Sequence, residues 1–137
     1  MEQEAIGRIL ADVGALVRDA GGAGPGDTFL YAEAGDNWVG PSVFKDFGDR
    51  VVYCQGNTDL DFRILDLWDA APADKKWRAL LMTVSGEKFD ARFQYDEGWD
   101  EAESDYERRP RVLTAKFGNK PIEFPDYESP PFTDTAY

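Results

Sequence analysis

The sequence predicts an α+β fold in which an antiparallel sheet of about five strands has its helices packed on one face. Three observations lead to this prediction: an amphipathic first segment, short β-prone runs separated by turn residues, and a hairpin signal in the second half. The expected order is α-β-β-β-α-β-β-α, followed by an extended tail. We expect residues 1–118 to form one domain and residues 119–137 to form a proline-rich tail with aromatic and acidic residues.

The first half of the chain predicts one helix followed by three strands. Apolar residues recur at three- and four-residue spacing from Ile6 to Val17, which is typical of one helical face over residues 2–19. The glycine-rich residues 21–27 end this helix. The β-prone runs that follow cover residues 28–33, 38–47 and 50–55. Turn residues separate these runs, so a three-stranded meander is expected.

The second half begins with a helix and continues into the strongest hairpin signal. Asn57 or Thr58 can cap the helix, and Pro72 ends it or soon follows its end. Two strands, at residues 77–84 and 89–95, are then joined by a short turn that contains Gly86. The first is apolar on both faces and should be central. The second alternates apolar and polar residues, so one of its faces should be buried and the other exposed.

Residues 102–117 have a helical composition that is interrupted by Pro110. Proline lacks a backbone N–H and clashes with the preceding turn, so it should start a new helix here or kink the existing one. The prolines of residues 119–137 then favour an extended segment without regular structure.

The charge balance favours protein partners over nucleic acids and membranes. The 137 residues include 27 acids and 15 bases, which gives a formal net charge of −12, yet 42% of the residues are hydrophobic and should form a core. Bare nucleic acid and anionic membranes would repel such a protein, whereas basic proteins such as nucleases would attract it. With Cys54 as the only cysteine and no signal-peptide pattern, a cytoplasmic location is expected.

The residues known to carry common chemistries are missing or misplaced, so no enzyme, cofactor or metal is expected. The chain has no histidine, which excludes Ser-His-Asp and Cys-His pairs and two-histidine zinc sites. Residues 21–28 resemble a phosphate loop, but Asp27 stands where that loop needs lysine. Residues 96–100 do not fit a calcium loop, and Cys54 lies in an apolar strand. A carboxylate-dependent hydrolase stays open as an alternative, although no pair of acids can be selected from 27.

Residues 96–107 hold seven carboxylates together with Trp99 and Tyr106. Such crowded acids repel one another unless a cationic partner or a solvated helix face relieves them. We therefore expect a partner-binding surface. Trp99 follows a glycine in a turn and should be exposed, whereas Tyr106 is either exposed or shares a core stripe with Phe117. The predicted surface contains Asp96, Glu97, Trp99, Asp100, Glu101, Glu103 and Tyr106, assisted by Tyr127 and Glu128 of the tail.

Several segments together resemble a known bacterial family. These are LYAEAGDNW at residues 30–38, DFRILDLWD, KKWRALLMTVSGEKFDARFQYDE and DYERRPRVLTAKFG, within residues 28–118. In order and spacing they resemble the YezG-type immunity proteins. The resemblance implies an antitoxin that binds and neutralises a secreted toxin, often a nuclease, encoded beside it. A non-catalytic regulatory or scaffold module that binds other proteins is the alternative.

Overall fold

The structure is a computed structural model of the chain, and it describes residues 2–22 and 24–125. The helices are α1 (Glu2–Gly21), α2 (Thr58–Ala70) and α3 (Asp105–Phe117), and the strands are β1 (Thr28–Gly35), β2 (Trp38–Asp46), β3 (Val51–Cys54), β4 (Ala79–Ser85), β5 (Lys88–Gln94) and β6 (Ile122–Glu123). The α+β class and the predicted order α-β-β-β-α-β-β-α are confirmed. Tyr127 and Glu128 of the predicted surface lie outside the described residues.

All six strands form one open sheet in the order β5-β4-β1-β2-β3-β6. Neighbouring strands are antiparallel, except that β6 runs parallel to β3. Gly86 lies in the β4–β5 turn with a φ of 63°, a backbone conformation that favours glycine. The sheet is one strand wider than predicted, because residues assigned to the tail supply β6. A strand of two residues is too short to show a period-two pattern in the sequence.

Helices cover the sheet on both faces. Side chains alternate along β1, so that Leu30 and Ala32 face α1 and α2, whereas Phe29 and Tyr31 face α3. The prediction that the helices share one face is correct for α1 and α2 and wrong for α3. The physical reason lies in β1, where seven of eight residues are buried, since a central strand with two apolar faces needs a cover on each side.

Local signals explain where α2 and α3 begin and continue. The Asn57 side chain accepts a hydrogen bond from the Leu60 N–H at 3.0 Å and thereby caps α2. Pro110 lies inside α3, which continues to Phe117 as one helix. Proline leaves the Tyr106 carbonyl without its helical partner, but Tyr106 and Pro110 are exposed, so water can form a hydrogen bond with that carbonyl.

No helix within residues 2–22 and 24–125 combines the length and apolar character needed to cross a bilayer.

An ion pair between Lys120 and Asp46 connects the segment before β6 to the end of β2. Lys120 Nζ donates to both carboxylate oxygens of Asp46, at 3.0 and 2.9 Å, and the Gly48 N–H donates to the same carboxylate at 2.8 Å. Burial raises the pKa of Asp46, but the bonds from Gly48 and Lys120 outweigh burial and leave the pKa below its usual value. The carboxylate therefore stabilises the fold in its charged form.

We expect Asp46→Asn to lower the free energy of unfolding at pH 7 by about 1 kcal/mol. A carboxyl group whose pKa falls on folding contributes stability above its unfolded pKa and loses it as the pH falls through the folded value. The difference from the wild type should therefore shrink below about pH 4. Urea unfolding of both proteins between pH 3 and pH 7 measures this difference in the free energy of unfolding. A difference that does not change with pH would contradict this role for Asp46.

Candidate protein-binding surface

The acidic segment that follows β5 is held in place by arginines of the same chain. Arg78, directly before β4, donates from Nε to Asp96 at 2.8 Å and from its terminal nitrogen to Glu101 at 2.5 Å. The hydrogen bond that Arg78 donates to Asp96, with the one it donates to Glu101, raises the pKa of Arg78 despite partial burial. Arg111 of α3 forms a two-bond pair with Glu103, at 2.5 and 2.7 Å. Asp96, Glu101 and Glu103 therefore do not depend on an external cation to relieve their repulsion.

The start of α3 adds two further local contacts. The Glu107 side chain accepts a hydrogen bond from the Ser104 N–H at 3.1 Å, which is one half of a capping box. Asp105 pairs with Arg109 one turn later at 2.6 Å. Acidic residues in the first turn also interact favourably with the positive end of the helix dipole. The helix thus begins at a defined residue, and this fixes the direction in which Tyr106 projects.

Beneath this segment lies a buried ionic cluster. Arg108 donates to both carboxylate oxygens of Glu33 at 2.8 Å, and the Tyr31 hydroxyl donates to Glu33 at 2.5 Å. The Glu33 side chain is 3% exposed and that of Arg108 is 11% exposed. Burial raises the pKa of Tyr31, and its bond to Glu33 raises it further. The bond to Glu33 also raises the pKa of Arg108, so Arg108 and Glu33 form a stable ion pair.

Arg108 connects this cluster to the acidic segment. It donates to the backbone carbonyls of Asp100, at 3.1 Å, and Glu103, at 2.6 Å. Its guanidinium group also lies 4.1 Å from the centre of the Trp99 ring, within cation–π distance. One buried side chain therefore contacts β1, residues 99–103 and the start of α3.

The prediction that Trp99 is exposed is wrong. Its ring is half-buried between Arg108 and the core beneath α3. The glycine before it permits the turn, but the arginine that covers the ring lies nine residues further on, so the local sequence could not reveal it. Trp99 therefore acts as a support for the segment more than as an open contact residue.

Tyr106 is 81% exposed, more than any other large hydrophobic side chain of the described residues. It lies two helical turns before the buried Leu113, so periodicity alone would place both on one side of α3. The exposure of the Tyr106 ring resolves the two sequence interpretations in favour of a surface position. The side chains of Asp96 and Glu101 are also open to solvent, at 80% and 70%, whereas Glu103 is at 19%.

Trp38 is a candidate contact residue that the sequence analysis missed. It is 51% exposed at the start of β2 and lines a cavity of about 280 Å³ together with Trp99, Arg78 and Glu101. A β-carbon on Gly35 would lie only 2.2 Å from the Trp38 indole nitrogen, so Gly35 leaves room for the ring. The sequence did show a tryptophan directly after the turn between β1 and β2. Only the order of the strands in the sheet, however, places that turn beside the acidic segment.

Three features that the sequence analysis considered for catalysis, phosphate binding or metal binding have the following surroundings in the structure. Burial raises the pKa of the Cys54 thiol, which disfavours the nucleophilic thiolate, and its Sγ donates weakly to the Val52 carbonyl. Asp27, in the glycine-rich loop, accepts a hydrogen bond from the Ser85 hydroxyl. Among residues 2–22 and 24–125, no group of three or more His, Cys, Asp or Glu side chains is arranged to hold a metal ion.

Comparisons with known proteins do not assign the chain to a family. No protein-family model matches it, and no curated protein sequence is significantly similar to it.

Proposed function

We propose that this protein is an immunity protein that binds and neutralises a cognate secreted toxin in the cytoplasm of the producing cell. The toxin is a basic protein, most simply a nuclease, and the immunity protein acts by occupying it without catalysing a reaction. The net charge of −12 and the resemblance to YezG-type immunity proteins support this proposal. Within the structure, one observation carries it: an aromatic side chain, Tyr106, that is 81% exposed in a segment of seven carboxylates.

Tyr106 has the properties of an interface anchor. Tyrosine is among the residues that contribute most binding energy at protein interfaces, because it buries a large ring and can still form a hydrogen bond. Its ring protrudes from the first turn of α3, which the capping contact of Glu107 fixes. A partner with a complementary pocket could therefore bury this ring without rearranging the helix.

The arginine contacts make the surface rigid before binding. Arg78 and Arg111 hold three carboxylates of the segment, and Arg108 holds two of its backbone carbonyls. A preformed surface loses less conformational entropy on association than a mobile loop, so more of its contact energy appears as affinity. The same pairs reduce the local negative charge. We therefore propose that the shape of the segment determines which partner is bound. The charge of the whole protein then speeds the encounter with that partner.

A nuclease is a suitable target for such a surface. It must present lysine and arginine to grip phosphates, and these cations attract a protein of net charge −12. Exposed carboxylates such as Glu97 can then occupy positions that phosphates would take. Because this attraction acts between solvent-exposed charges, association should slow as the salt concentration rises.

The decisive experiment is co-expression with the toxin encoded by the adjacent gene, followed by calorimetric titration of the purified pair. We expect growth to be rescued, and we expect the double variant Tyr106→Ala/Glu97→Lys to bind about 30-fold more weakly. Both side chains are exposed, so the variant should melt like the wild type. A substitution of Trp99 would be less informative, because this ring also supports the core.

The matched control is Phe62→Ala/Asp59→Lys on α2, which removes an aromatic side chain that is 59% exposed and reverses a nearby acid. We expect it to keep wild-type affinity. If the control weakens binding and the Tyr106 variant does not, the interface lies on α2 and the proposed surface is wrong. If the adjacent gene encodes no toxin and the protein captures housekeeping proteins, the immunity function is wrong and the regulatory alternative holds.

A further inference from the structure

A groove runs between α3 and the β4–β5 edge of the sheet, with a volume of about 520 Å³. It exists because α3 packs over β1, where the Phe117 and Phe29 rings meet edge to face at 5.7 Å, and leaves part of the β4–β5 surface open. Short side chains keep it open, namely Ala79 and Thr83 on the floor and Ala115 on the helix wall. Its size is typical of small-molecule sites, which span about 300–1,000 Å³.

The floor of the groove combines apolar and charged side chains in rows across the sheet. One row pairs Leu81 of β4 with Arg92 of β5, and the next pairs Thr83 with Asp90. Val112 of α3 adds an apolar wall above the floor. A ligand in this groove would therefore contact hydrocarbon and ionic groups at the same time.

The charges that line the groove are mostly positive, in contrast to the rest of the chain. Among the residues that the structure describes, four cations and one acid line it: Arg92, Arg108, Arg111, Lys116 and Asp90. Two of the cations are neutralised, since Arg108 pairs with Glu33 and Arg111 pairs with Glu103.

Within residues 2–22 and 24–125, neither of the other two cations forms an ion pair with a carboxylate. Lys116 Nζ donates to the Thr83 hydroxyl at 3.0 Å, and Arg92 forms no ion pair with any described residue. Arg92 lies on the sheet side and Lys116 on the helix side of the same groove. Two such cations beside apolar surface favour an anion over a neutral or cationic ligand.

We propose that this groove binds a small organic anion with a planar apolar body and a phosphate or carboxylate group. The anionic group would contact Arg92 and Lys116, and the body would lie on Leu81 and Val112. Asp90 disfavours a second negative charge and can accept a hydrogen bond from an amino or hydroxyl group of the ligand. Trp99, Arg108 and Arg111 line this groove and also support the segment around Tyr106, but the anion-binding role of Arg92 and Lys116 does not depend on the proposed immunity function.

Calorimetric titration of the full chain with three probes tests the proposal: adenosine 5′-monophosphate, 2-naphthoate and inorganic phosphate. We expect the first, the second or both to bind with a Kd between about 10 µM and 1 mM, and inorganic phosphate to bind far more weakly. Binding of only one organic probe decides between a phosphate and a carboxylate ligand. Failure of both, or equally tight binding of inorganic phosphate, would overturn the proposal.

Charge variants locate the anionic group. Arg92→Gln should weaken binding by about tenfold, and Asp90→Asn should strengthen it by about threefold. The control is Lys88→Gln, which removes a cation from the same strand outside the groove and should change the affinity less than about twofold. Ala115→Leu should block binding by filling the groove without a change of charge. If Lys88→Gln weakens binding as much as Arg92→Gln, the probes bind the surface nonspecifically and the site does not exist.

Discussion

Replacing Arg108 with alanine is expected to lower the free energy of unfolding by about 3–5 kcal/mol, because it leaves the buried Glu33 carboxylate without its ion partner. A charge that is 3% exposed cannot recover its hydration, and the hydrogen bond from Tyr31 cannot replace a guanidinium. The substitution also removes the two bonds that hold the carbonyls of Asp100 and Glu103. Urea unfolding at pH 7, followed by circular dichroism, measures the loss.

Two further variants distinguish the stability lost with the ion pair from the stability lost with packing. Arg109→Ala removes a neighbouring arginine that pairs with Asp105 near the surface, and it should cost less than about 1 kcal/mol. The double variant Glu33→Gln/Arg108→Met should be less destabilised than the sum of the two single variants by more than about 1 kcal/mol. Additive effects would show that Glu33 and Arg108 do not interact and would remove the energetic basis of the cluster.

The elements with strong local signals could be predicted from the sequence. The apolar spacing between Ile6 and Val17 predicted α1, the two candidate caps Asn57 and Thr58 predicted the start of α2, and the turn around Gly86 predicted the β4–β5 hairpin. Each of these signals lies within a few residues of the element it defines. The short β6 could not be predicted, because its two residues are defined by pairing with β3 and not by their own pattern.

The environment of the candidate surface depended on contacts distant in sequence. Glu33 and Arg108 are separated by 75 residues, so the acidic segment appeared unbalanced although arginines of the chain hold most of it. One signal was available in Glu33 itself. An acid within a strand as apolar as β1 is buried on folding, so its carboxylate requires a cationic partner. The arginines that follow Tyr106 in the sequence were candidates for this partner.

Phe117→Ala should be the second strongly destabilising substitution, with an expected loss of about 3–5 kcal/mol in the free energy of unfolding. The ring is 9% exposed and meets Phe29 edge to face, so it is a principal contact between α3 and the sheet. Its removal leaves a cavity beneath the last turn of α3, whose other buried residue is Leu113. Urea unfolding gives the total loss, and hydrogen exchange shows whether the amides of α3 lose protection.

The matched control is Phe124→Ala, which removes the same side chain from a position on the same face of the sheet. Phe124 contacts Phe44 and Tyr53 but is 62% exposed, so its loss should cost less than about 1 kcal/mol. Because α3 forms one wall of the groove and carries Tyr106, loosening it through Phe117 should weaken both ligand and partner binding, whereas the Phe124 variant should retain both. If Phe117→Ala unfolds like the wild type, α3 contributes little to the stability of the sheet, and neither proposed site rests on a rigid helix.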